Sequence, residues 1–246
     1  MKNLTYTELI ALADKSNAFA RDIFKNWEEN FPFDAKGFQY RYLYANSFRA
    51  AKSAQSFWLL YSRGFFHDAQ IIARTLFERI VNSRVASKSP ERACELLATN
   101  RFDDKAGVQK MIDIDPKNYN HPEMKEHLEL YQREIDHFLG LSKTTKAKKR
   151  NFLEMCKEVK LEWAYRMIYR EFSEYTHASF GVASKDPVED DCKMAAFIAL
   201  LAPMDTAIQY DSAFHGEERK VLADNYRALY NEFADPLLGP KAIRED

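Results

Sequence analysis

Glycine and proline are scarce in this sequence, at seven and eight of 246 residues. A sheet protein of this size needs many turns, and turns consume glycine. A sandwich or a barrel is therefore a poor fit. The chain also carries no Walker loop and no spaced glycine fingerprint, which removes the glycine-loop nucleotide folds. Its three cysteines, Cys94, Cys156 and Cys192, are an odd set without paired spacing. They fit reduced cytoplasmic thiols rather than a disulfide frame or a zinc site. There is no His-Glu-x-x-His and no paired acidic helix motif, so neither a metal nor another cofactor is expected. Lys plus Arg (36) nearly cancels Asp plus Glu (37), so no global field draws the protein to nucleic acid or a membrane. The start, MKNLTYTELIALADK, is amphipathic and mixed in charge, unlike a signal peptide. The longest apolar run, Met194 to Met204, is interrupted by Pro203 and is too short to span a bilayer.

What the sequence does have is helical periodicity from end to end. Leu9, Leu12, Phe19, Ile23 and Trp27 follow a three-and-four spacing behind the capping residue Thr7, and Pro32 stops that helix. A second helix is expected over about 37–61 and a third over about 66–85, with Gly64 between them. Ser89-Pro90-Glu91 opens a shorter helix to about Thr99, followed by a weak one to Met111 and a loop from Asp113 to Pro122. Met124, Leu128, Tyr131, Ile135 and Phe138 make the next stripe, closed by Gly140. In the segment from Ser142 to Arg150 five of nine residues are basic, which reads as a mobile loop, with an RNA or anionic-lipid contact as the alternative. Helices resume over about 152–176, 188–214 and 217–233. The expectation is an all-α helical bundle with long central helices, one domain over 1–235 and a C-terminal tail over 236–246.

Two constellations carry candidate chemistry. On the third helix Arg74 and Glu78 share a sector with Ile71, Val81 and Val85 at about 100° per residue, with His67 two turns earlier. They make either a structural ion pair that fixes helix docking or an internal polar pocket. On the later helix Leu161, Tyr165, Ile168, Phe172 and Tyr175 form a core arc, while Arg166, Arg170, Glu174 and His177 lie opposite with Trp163 and Met167. A tryptophan and a methionine on that side call for cover, which points to a homodimer. Arg170 and His177 lie about 10.5 Å apart along the axis, a reach suited to holding phosphate and moving a proton. Glu162, Arg166, Arg170 and Glu174 at successive fours equally make a salt-bridged ladder.

The stretches Gly64 to Ala69, Ala73 to Glu78 and Tyr165 to His177 resemble the bacterial family known as domain of unknown function 5677. Its members share an R-x-L-x-E stretch and a later Y-R-x-x-S-x-x-x-H stretch, here carrying Arg74, Glu78, Tyr169, Arg170, Ser173 and His177. That resemblance covers roughly Tyr40 to Phe180 and implies an all-α fold without an established activity. More distantly, Arg170 and His177, with six residues between them, are similar to the hallmark of the HEPN superfamily (higher eukaryotes and prokaryotes nucleotide-binding). Many HEPN proteins are metal-independent ribonucleases of toxin and phage-defence systems. The position after the arginine departs from that pattern, with Glu171 where a small polar residue is usual.

The HEPN resemblance implies Arg170 and His177 as catalytic residues, with Arg74, Glu78, His67, Arg166, Tyr169 and Ser173 as binding candidates. RNA, a second copy of the chain or a protein encoded nearby would be the partners, without a membrane. The alternative function is a non-catalytic helical binding or interaction protein whose Arg/Glu/His cluster is structural.

Overall fold

Asp34 starts the first of the central helices by accepting a hydrogen bond from the Gly37 amide at 2.8 Å. A side chain at Gly37 would sit 1.8 Å from the Pro32 carbonyl oxygen, so only glycine allows the chain to turn in here. The computed structural model describes residues 6–24, 31–147, 151–166, 193–215 and 224–232. It is all-α, with no strand among the described residues. The helices are α1 (Tyr6–Phe24), α2 (Ala35–Ser62), α3 (Phe66–Ser87), α4 (Pro90–Ile114), α5 (Pro116–Tyr119), α6 (Pro122–Ser142), α7 (Phe152–Glu158), α8 (Glu162–Ala164) and α9 (Lys193–His215). Residues 224–232 are also helical.

The centre is built from α2, α3 and α9, each packed against the other two, with α1 laid on α9. Gly64, at φ +75°, makes the short link that turns α2 back into α3. Phe57, Leu43, Leu76, Ile80, Ile198, Leu200 and Met204 are among the largest wholly buried side chains. The apolar stretch of α9 is buried almost continuously from Ala195 to Ala202, which is how a helix that is hydrophobic all round must sit. No described helix is long and apolar enough to cross a membrane.

Polar side chains set the register between these helices. Asn46 on α2 donates to the Arg79 carbonyl at 2.8 Å and to Ser83 Oγ at 2.7 Å, and Gln39 donates to the Ala86 carbonyl at 2.7 Å. Ser16 on α1 donates to the Leu200 carbonyl at 2.6 Å. A satellite cluster of Cys94, Ala98 and Phe138 joins α4 to α6. Burial there pushes the Cys94 thiol up to about 11, far from the reactive thiolate range.

Three boundaries differ from the periodicity. First, α4 runs unbroken from Pro90 to Ile114 instead of breaking near Thr99. Between those points there is no proline, and α6 packs along its length, with Arg101 on Glu134 at 2.6 Å. Second, the expected loop over 113–122 contains the one-turn helix α5, started by Asp115 and Pro116. Third, the helix expected to run on from Phe152 stops at Glu158. There Lys160 takes the left-handed conformation at φ 60° and the Leu161 amide reaches back to the Cys156 carbonyl at 2.7 Å. This is a Schellman-type ending made without glycine, so no residue type announces it.

The pair on α3 also differs in depth. Arg74 Nε lies 3.4 Å from Glu78 Oε1, with the two side chains 19% and 30% exposed. The pair forms, but at the edge of the core rather than inside it. The fully buried ion is elsewhere: Asp205 on α9 has no exposure and is held by Arg84 on α3. Removing one partner of a buried pair strands the other, so Asp205→Ala should cost about 3–5 kcal/mol. Glu78→Ala should cost about 1 kcal/mol or less, since partly exposed pairs are screened. Chemical denaturation of both variants checks this, and the reverse order would refute the assignment.

Candidate functional site

Arg84 lies in the last turn of α3, where a cation complements the helix dipole. Its Nε lies 3.1 Å from both oxygens of Asp205, and Nη2 donates to Oδ2 at 2.5 Å, a forked arrangement. The Tyr226 hydroxyl donates to the same Oδ2 at 2.9 Å. One turn further along both helices, Ser87 Oγ donates to Gln209 Oε1 at 2.7 Å. Together these contacts tie α3, α9 and the helical residues 224–232 at one point.

The electrostatics follow from burial and the shared carboxylate. Asp205 holds the Arg84 guanidinium in its charged form, raising its pKa against the opposing effect of burial. Burial first, and then the Asp205 charge, push the Tyr226 phenol well above its ordinary range. Tyr226 therefore stays a hydrogen-bond donor at any physiological pH. Burial likewise raises Tyr230.

Beside this cluster is a cavity of about 390 Å³. Phe77 and Ile80 of α3, Phe197, Ile198 and Leu201 of α9, and Leu161, Trp163 and Ala164 at α8 form its apolar walls. Arg84, Tyr226, Arg227, Tyr230 and Asn231 bring polar atoms to it. The Phe197 and Tyr230 rings meet edge-on at 5.7 Å, which fixes one wall. A second cavity, of about 520 Å³, lies under the start of the basic segment, between Lys143 to Ala147 and Asn151, Glu154 and Glu158. Its charges are mixed, because Arg92 there is already held by Glu158 at 2.5 Å and by Glu95. Among the described residues no group of three or more His, Cys, Asp or Glu is placed to hold a metal ion.

The residues expected from sequence are distributed differently. His67 is at the start of α3, its Nδ1 3.8 Å from Asp68. Arg74 and Glu78 pair with each other, and Arg84 lies about 15 Å beyond Arg74 along the axis. None of His67, Arg74 and Glu78 lines the cavity. Arg166 is exposed and donates to Glu162 Oε1 at 2.6 Å, the first rung of the expected ladder. Trp163, half exposed at 50%, lines the cavity next to it. Tyr169, Arg170, Ser173 and His177 lie outside the described residues, as does Met167. Arg84, Asp205 and Tyr226 were not singled out by pattern. One signal did exist: Asp205 is the only acidic residue between Lys193 and Tyr210, in an otherwise apolar helix, and such a charge needs a cation from a neighbouring helix.

Residues 40–194 match a family of unknown function, DUF5677. The chain belongs to that family. Comparison with curated proteins and with solved structures finds no match. The DUF5677 span takes in α2 to α8 and only the first two residues of α9. Arg84 thus lies inside it, while Asp205 and Tyr226 lie beyond its end.

The phenol of Tyr226 supplies a pH test of this geometry. Its folded pKa is raised, so its contribution to stability is complete below the unfolded tyrosine value of about 10 and is lost as pH rises from there through the folded value. Thermal melts between about pH 9 and 11 should show wild type losing stability more steeply than Tyr226→Phe. Equal slopes would mean that the phenol is not buried against Asp205.

Proposed function

We propose that this DUF5677 chain is a non-catalytic helical binding protein that takes a small, largely apolar molecule in the cavity beside Arg84. The observation that carries this reading is the cavity itself. It has aromatic and aliphatic walls from α3, α8 and α9, with a few polar groups fixed at one side by the Asp205 cluster. Binding sites for small molecules have this composition, and about 390 Å³ is within their usual size range. The free buried thiols Cys94 and Cys156 fit a reducing, cytoplasmic setting. Titration with Nile red, a neutral dye that brightens in apolar surroundings, should give saturable binding at micromolar concentration. Leu201→Trp, which fills the cavity from α9, should weaken it at least tenfold while leaving the helical circular dichroism unchanged. Unaltered binding by that variant would exclude this cavity.

The second reading is a metal-independent, HEPN-like ribonuclease acting as a homodimer, in phage defence or as a toxin. Trp163 and Arg166 favour it: an exposed aromatic beside a cation, just before Tyr169 to His177, suits either a stacked base or a partner surface. In this reading His177 takes the proton from a ribose 2′-hydroxyl and Arg170 stabilises charge developing on the phosphate. The products would be cyclic phosphate ends. A C-terminal helix dipole and Glu174 would favour imidazolium, so a substrate or subunit contact would have to lower that pKa first. A protein encoded nearby could supply such a contact. RNA incubated with chelator should be cleaved by wild type and left intact by His177→Ala and Arg170→Ala. Equal cleavage by His177→Ala, or none by wild type across several RNAs, would leave the binding reading alone.

A further inference from the structure

We infer that the cavity selects an uncharged ligand: an aromatic or aliphatic body bearing a carbonyl acceptor that bonds the Arg84 guanidinium. The inference rests on the binding reading and adds the chemistry of the head group. Arg84 uses Nε and Nη2 on Asp205, and Nη1 makes no hydrogen bond to a described residue. Its side chain is 27% exposed and lines the cavity, so the guanidinium retains donor capacity on that side.

The charge, in contrast, is already matched. The Asp205 carboxylate has no solvent exposure and lies in the fork of the same guanidinium. A ligand carboxylate on Nη1 would be attracted by Arg84 and repelled by Asp205 from a similar distance. Those two effects nearly cancel, and the anion would still lose its hydration. Arg227 offers little compensation, being 77% exposed and near Asp224 at 3.7 Å. A carbonyl oxygen keeps the hydrogen bond to Nη1 without bringing a second negative charge. The body of the ligand would lie against Trp163, Phe197 and Tyr230, whose rings favour a flat partner.

Three probes share one body and differ in the head: 1-naphthaleneacetamide, 1-naphthaleneacetate and 1-methylnaphthalene. Calorimetric titration of the full chain at pH 7.5 should find the amide at least tenfold tighter than either of the others. Arg84→Lys, which keeps the charge but loses the fork, should remove the preference for the amide over the hydrocarbon. If that variant does not fold, the ranking on wild type still decides. Acetate binding as tightly as the amide, or three equal affinities, would overturn the inference and leave the binding reading standing. Failure of all three to bind at millimolar concentration would overturn both.

Discussion

Asp205 is a carboxylate without solvent exposure in the middle of the most apolar helix of the chain. A charge so placed must be matched or it costs several kcal/mol. The Arg84 fork and the Tyr226 hydroxyl supply the match from two other parts of the chain. The neighbouring contacts then follow. Ser87 meets Gln209 one turn on, and Tyr226 brings Tyr230 against Phe197. The cavity exists because these polar groups hold helices together at a place where side chains do not fill the space between them.

This arrangement separates two roles that arginines play on α3. Arg74 and Glu78, one turn apart on the same helix, stabilise that helix locally and are partly hydrated. Arg84 connects to a residue 121 positions away and is specific about its partner. Only the second kind of contact fixes tertiary geometry. Asn46 with Arg79 and Ser83, and Gln39 with the Ala86 carbonyl, do the same between α2 and α3 with neutral groups.

The sequence shows the all-α class and the central helices plainly, since spacing at three and four residues and the Asp34, Ser89 and Pro90 start signals are local properties. The end of α7 at Lys160 is not legible, because a left-handed lysine has no residue signature. The unbroken α4 is not legible either, since packing along α6 outweighs a weak local pattern. At the level of the site, periodicity groups Arg74 and Glu78 because they are close in sequence. It cannot group Arg84 with Asp205, whose proximity arises only when α3 packs on α9. The acidic residue within an apolar run was the clue, and its partner was not deducible without the packing.

The match to DUF5677 stops at residue 194, close to the start of α9. Cutting the chain there would keep Arg84 and discard Asp205, Tyr226 and most of the buried face of α9. The unit defined by shared sequence and the unit that folds are therefore not the same stretch of polypeptide. Domain dissection guided by the family boundary would isolate a fragment with an orphaned guanidinium and an open core, so the shared segment relies for its interior on what each chain appends to it.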